Sequence, residues 1–440
     1  MLRTTLGILA MVTAAAGGAA AQTNPLPPGP DAAAIVQRHS TSLDFTDGRI
    51  SGPGAELLLR EAGTAQFVML AEVITHVDHA TPEFMAALFG LLHDRHGFDY
   101  VALEQDPFGM QLVSGAPVRG SLERVAEQAR RYPYAFTFIN DEELRMMADA
   151  GRRSTGRWRP VWGFDQEFGA TLVLEELSRL APSREAAAAV GEMLGDARRH
   201  ERLVPDFGDW RGTRDFEAGH FVGNQSVANL PRVQRLRALF AAAAGTRADE
   251  LLRGLEASTL IYSYHYRARE FDPATGEPYG YHSNAVREQL MKDQFLDNYR
   301  IAEAADGRPP RVLIKAGSNH LIRGRNFTNV FSLGGFLHEF AIANRSRALT
   351  IAMLPVQEAW VDFAQIPAEL RPLLPSRDLS RPTLVDLRPL RAHLHRRQNF
   401  GLEGEDLRKF EMLVHGMDFA LFLPSRAASF SLTQPERRRR

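Results

Sequence analysis

The run Phe67-Val68-Met69-Leu70-Ala71 ends on Glu72, and His76 and His79 follow before helical periodicity begins at Pro82. A short apolar run bounded by polar, turn-forming residues predicts a buried strand of the kind that forms the centre of an α/β sheet. Ligands of open α/β sheets collect beyond the carboxyl ends of the strands. Glu72 and His76 therefore mark where a site is expected. The plainer reading has Glu72 ending a strand and both histidines on a surface loop. Asp, Ser or Asn would be the ordinary cap there, which favours a functional role.

The same pattern recurs three times. A run over residues 99–103 stops at Glu104, and one over 161–164 stops at Asp165-Gln166-Glu167. A third, over 311–315, ends on Lys315 and leads into Ala316-Gly317-Ser318-Asn319-His320. Runs over 349–354 and 418–423 predict further strands. Phe84, Leu88, Leu91 and Leu92, followed by Gly97, predict a helix over 82–96. That β-α-β spacing predicts a parallel pair formed by the strands on either side of it. Helices are also expected within 121–150 and over 286–303. Residues 170–262 are rich in Ala, Leu, Glu and Arg at helical spacing, with a break near 205–213, and predict a helical insertion lying over the sheet. Residues 271–281 and the Pro-rich stretch 367–382 are expected to be loops. The fold class that follows is α/β, with a central, mainly parallel sheet flanked by helices and carrying a helical insertion. It is expected as one domain over 46–430, between an N-terminal segment or linker over 22–45 and a disordered tail over 431–440.

Composition narrows the function. The chain has 440 residues, 44% of them hydrophobic, enough for a sizeable core. A net charge of −1 argues against a global attraction to nucleic acid or anionic lipid. Met1-Leu2-Arg3, an apolar stretch over 6–16 and Ala19-Ala20-Ala21 predict a secretory signal peptide over 1–21, cleaved after Ala21, and a periplasmic or secreted protein. That apolar stretch is too short and alanine-rich to span a membrane. The absence of cysteine rules out disulfides and thiol chemistry. A G-x-S-x-G elbow, a Walker A loop and a dinucleotide fingerprint are all missing, which argues against a classical serine hydrolase, kinase or dehydrogenase.

One charged residue after a strand is ordinary, but four such ends in a parallel sheet converge on one rim. The candidate catalytic residues are Glu72, His76, Glu104, Arg287 and His320. His79, Asp165, Gln166, Glu167 and Lys315 are candidate substrate contacts, with Lys315 and Arg287 supplying positive charge to balance the carboxylates. The competing reading is an ion-pair network that imitates a site.

Leu70-Ala71-Glu72, His76 and Pro82-Glu83-Phe84, followed by Gly97-Phe98 and Ala102-Leu103-Glu104, resemble the erythromycin esterase-like branch of the Tiki/TraB/haem-uptake superfamily. Trp162-Gly163-Phe164-Asp165-Gln166-Glu167-Phe168 resembles that branch's third-strand motif, and Arg287 with Met291 its R-x-x-x-M helix. Lys315-Ala316-Gly317-Ser318-Asn319-His320 with Ser332-Leu333-Gly334 resembles its late histidine strand. Ala71 stands where the family has glycine, and either His76 or His79 can be matched to the motif histidine; the distance to Pro82 and Phe84 favours His76. The resemblance implies a hydrolase that activates water without a covalent intermediate. His76 would be the general base, Glu72 or Glu104 its partner, and Arg287 and His320 the groups that polarise the scissile carbonyl of a small-molecule or peptide substrate. It equally allows a Tiki-like peptidase in which Glu72, His76, Glu104 and His320 bind a divalent metal, or a non-enzymatic periplasmic binder of haem or another ligand.

Overall fold

The computed structural model describes residues 32–73, 76, 78–201, 222–223, 225–274, 276–356, 366–374, 380–396, 398–426 and 428–433. The expected signal peptide and the break over 205–213 lie outside them.

Among the described residues there are ten strands: β1 (Ser40–Ser42), β2 (Asp44–Thr46), β3 (Arg49–Ser51), β4 (Phe67–Glu72), β5 (Tyr100–Leu103), β6 (Val161–Gly163), β7 (Val312–Gly317), β8 (Ala348–Val356), β9 (Thr383–Asp386) and β10 (Phe419–Pro424). Strands β2 and β3 form a small hairpin, and the other eight make one sheet in the order β1-β9-β10-β8-β4-β7-β5-β6. The six strands from β10 to β6 run parallel, while at one edge β9 runs opposite to them and pairs antiparallel with both β10 and β1. The fold is thus α/β with a mostly parallel sheet, as its apolar runs predict.

Both faces of the sheet are covered, which is why its strands are apolar throughout and do not alternate. Val68 and Leu70 of β4 pack with Val101, Leu103 and Leu313 in a core that includes Phe84 and Leu88 of the helix Ala80–His96. Phe67, Met69 and Ala71 face the other way, with Ile314 and with Phe295 of the helix Tyr279–Asp306. Gly97 ends the helix Ala80–His96 in the left-handed conformation, φ 66°, that favours glycine.

The structure differs from expectation in several places. Strands β4 and β5 are parallel but not neighbours, because β7 returns from late in the chain and inserts between them. The N-terminal segment holds strands besides the helix Ala32–Arg38, namely β1 and the start of β2. The long helix begins at Tyr279, seven residues before its expected start, within the stretch expected to be a loop. Ala368–Leu373 form a 3-10 helix inside the Pro-rich stretch. Ser431 and Leu432, counted with the tail, hydrogen-bond to Asp141, and residues 434–440 lie outside the description. The insertion is helical where described, over Thr171–Leu180, Arg184–Glu201, Ser226–Phe240 and Arg247–Tyr266.

Candidate functional site

Register brings the strand ends together. Glu72 of β4 pairs with Gly317 of β7, and Leu103 of β5 with Lys315 two residues earlier on the same strand. Glu72 and Glu104 therefore flank β7 at its carboxyl end; His76 follows β4, and His320 lies in the short helix Ser318–Leu321 that continues from β7.

His76 sits between the two glutamates. Its Nδ1 is 3.0 Å from Glu72 Oε2 and 3.8 Å from Glu104 Oε2, and its ring stacks on Phe138 at 4.9 Å between centroids. Phe138 holds a left-handed backbone, φ 55°, a conformation unfavourable for a bulky residue and often found at functional sites. The imidazole is 23% exposed, whereas the side chains of Glu72 and Glu104 are buried. Burial opposes its charged form, but the charge of Glu104 and the hydrogen bond and charge of Glu72 outweigh that and raise its pKa above the usual 6.5.

Arg287, on the helix Tyr279–Asp306, crosses the same rim. Its Nε donates to Asp165 Oδ1 (2.9 Å), and its Nη2 donates to Asp165 Oδ2 (2.7 Å) and to Glu104 Oε1 (2.9 Å). Burial works against the guanidinium's charge, yet these two carboxylates hold its pKa above the ordinary value. Glu104 accepts 2.6 Å from the Gly317 amide and lies 3.4 Å from His320 Nε2. Despite burial, His320, His76 and Arg287 hold its carboxyl well below the usual range. His320 Nδ1 is 2.8 Å from Glu288, which also accepts from Asn326 and from the Leu333 amide. Lys315, buried, has its Nζ 3.1 Å from Glu72 and 3.4 Å from Glu143. Gly317 is required by close approach: a Cβ there would lie 2.6 Å from His76 Cε1.

Glu72, His76, Glu104, Asp165, Arg287, Lys315 and His320 thus form one connected polar centre. The other three candidates do not join it directly. His79 is turned away, with the Arg426 amide donating to its Nδ1 at 2.8 Å. Gln166 donates to Tyr262 at 3.2 Å, which places it beside the insertion helix Arg247–Tyr266. Glu167 packs against that helix as well: its amide donates to Ser258 and its carboxylate lies where a Cβ at Gly254 would stand. Both its carboxylate oxygens are buried without a partner among the described residues.

Sequence reasoning missed Glu143, Glu288 and Phe138. Glu288 is hidden because it adjoins Arg287 on a helix. Asn140-Asp141-Glu142-Glu143 reads as an ordinary helix start, with a capping residue followed by acids in the first turn. Phe138 offers no signal short of coordinates.

The donor set does not fit a metal. Among the described residues no group of three or more His, Asp or Glu side chains is disposed to hold one. The oxygens that would be ligands already face Arg287, Lys315 and the Gly317 amide.

The fold and site define an α/β protein whose polar centre is a histidine held by carboxylates at the carboxyl ends of parallel strands. No family model and no curated relative matches the chain. Among solved structures, a Bacillus cereus protein superposes with a TM-score of 0.54 at 11% identity, covering 90% of this chain and 98% of that one. A succinoglycan biosynthesis protein gives 0.49 at 14% identity, covering 90% and 97%. A mutant of erythromycin esterase EreC in its open conformation gives 0.49 at 13%, covering 90% and 99%. The first likeness shows a shared fold.

Proposed function

We propose that this protein is a hydrolase of the erythromycin esterase-like type that uses His76 to activate water against an ester or amide. The observation that carries the reading is the setting of His76: one ring nitrogen bonded to Glu72, the other without a hydrogen bond among the described residues, and the ring partly exposed near Glu104, whose other oxygen holds Arg287. The sequence motifs that resemble that branch supply the class of substrate bond.

With Nδ1–H donated to Glu72, the lone pair of Nε2 can accept a proton from water as the oxygen adds to the carbonyl carbon. Arg287 spends two of its nitrogens on Asp165 and Glu104, which fixes the guanidinium. In this scheme its remaining Nη1 hydrogens stabilise the oxyanion. Collapse of the tetrahedral intermediate returns the proton from Nε2 to the leaving alcohol or amine, so no covalent enzyme intermediate is needed. His320, buried between Glu288 and Glu104, serves this scheme by fixing Glu104. Glu104 and Glu72 stabilise the imidazolium while it exists.

The test is turnover of p-nitrophenyl acetate by the purified protein. His76→Asn is expected to lower the rate by roughly 10²–10⁴-fold while the circular dichroism spectrum stays the same. Equal rates in the two proteins would refute the assignment of the base.

A further inference from the structure

Glu143 lies outside this scheme, yet it is tied to it. It is the third residue of the helix Asp141–Arg153, and Asn140, the cap, accepts from its amide at 2.7 Å. A glutamate at that position of a capping box ordinarily folds back to the amide of the cap residue. Here the side chain is committed to Lys315 instead, with Oε2 3.4 Å from Nζ and Oε1 buried without a partner among the described residues. Glu142 and Asp141 hold the C-terminal segment, so Glu143 is the acid of this first turn that is turned to the rim.

Lys315 has Glu72 as a counter-ion as well, with Oε2 3.1 Å away. That same oxygen is the one 3.0 Å from His76 Nδ1. Lysine and histidine therefore share one carboxylate oxygen. A negative charge at Glu143 draws the ammonium away from Glu72 and leaves that oxygen to the imidazole. We propose that Glu143 is a positioning residue for His76, acting through Lys315 and the shared oxygen of Glu72. Its consequence for catalysis rests on the hydrolase reading, whereas its effect on His76 does not.

The groups facing Glu143 are Lys315 from β7, Glu72 from β4, and Asp78 just before the helix Ala80–His96; Asp141 and Glu142 flank it on its own helix. Glu72 Oε1 and Asp78 Oδ2 are, like Glu143 Oε1, buried without a partner among the described residues. Three carboxylates around one ammonium carry excess negative charge, which a proton relieves. Burial first of all, then Glu72 and Asp78 against the opposing Lys315, push the Glu143 carboxyl up to about 7. Glu143 thus exchanges its proton near neutrality, where His76 also works.

The test is the titration of His76 by ¹H–¹⁵N NMR on the full chain, its resonance assigned by its loss in His76→Gln. Removing the charge in Glu143→Gln returns Lys315 wholly to Glu72, so the His76 pKa is expected to fall by roughly 0.5 unit. Glu143→Asp, which withdraws the carboxylate by one methylene, is expected to shift it the same way by less, and serves if the glutamine variant does not fold. With p-nitrophenyl acetate, Glu143→Gln should lower kcat by roughly 10-fold with KM unchanged, because the carboxyl does not reach substrate. A merely structural role would lower the melting temperature and leave the His76 titration in place. An unmoved titration in the variant that folds overturns the proposal even if the enzyme is active; a wild-type protein without esterase activity removes the hydrolase reading and leaves this titration to decide.

Discussion

Gly317 shows how finely the centre is set. Its backbone passes so close to His76 that a single methyl group, at 2.6 Å from Cε1, forces the ring to move. The ring can move, since it is partly exposed, so Gly317→Ala is expected to reduce turnover by roughly 100-fold while the protein stays folded. Wild-type kcat/KM in that variant would show that the position of the imidazole does not matter. Arg287 bears on stability as well as on chemistry. Replacing it by Met leaves Asp165 and Glu104 buried without their cation, a loss of about 3–5 kcal/mol for breaking a buried pair. An unchanged urea midpoint in Arg287→Met would contradict the ion-pair geometry.

The helix Asp141–Arg153 links the rim to the end of the chain. Asp141 accepts from the Leu432 and Ser431 amides and from the hydroxyls of Ser429 and Ser431, at 2.6–2.9 Å. These bonds outweigh burial and lower its pKa. Asp141→Asn is expected to loosen the segment over 428–433, at a loss of about 1.5–3 kcal/mol, seen as faster amide hydrogen exchange at Ser431 and Leu432. Unchanged exchange there would mean the carboxylate is not what holds the segment. At this scale the sequence is legible where burial is two-sided. Runs such as 67–72 and 311–315 read as strands because no polar residue interrupts them. β1, β2, β3 and β9 do not, being three or four residues long with polar or half-buried positions. Strand order is also illegible, since placing β7 between β4 and β5 depends on contacts some 240 residues apart. Yet seven of the ten candidate residues meet, because parallel strands bring their carboxyl ends to one side whatever their order.

Across the whole molecule, buried acids set the response to pH. Asp106, Glu143 and Glu201 are each pushed up to about 7, by burial above all, and Glu167 is raised as well. A carboxyl raised on folding stabilises the protein fully below its unfolded pKa, near 4, and that contribution is lost as pH rises towards 7. Glu72 and Glu104, lowered on folding, act oppositely: their contribution is present above about 4.5 and lost as pH falls further. His338, which burial lowers to about 4, favours the folded state above 6.5 and ceases to do so as pH falls towards 4. Among the described residues Asp78 and Asp297 are raised too and His96 is lowered, so with six raised carboxyls against two lowered histidines the melting temperature is expected to be highest near pH ~5 and to decline towards pH 7. A steady rise from pH 5 to 8 would contradict the buried-acid assignment. Export is proposed from the first 21 residues, and N-terminal sequencing of the mature protein should begin at Gln22. Among the described residues no helix is long and apolar enough to cross a membrane.

In the proposed reaction neutral His76, made more basic than a free imidazole by Glu104 and Glu72, takes the proton from water. The most direct measurement is the pH dependence of kcat/KM for ester hydrolysis, in the wild type and in Glu104→Gln. The wild-type profile should lose activity on the acid side with a midpoint above 6.5, and removing the Glu104 charge should move that midpoint down. A wild-type midpoint below 6.5, or one that does not move in Glu104→Gln, would contradict the account.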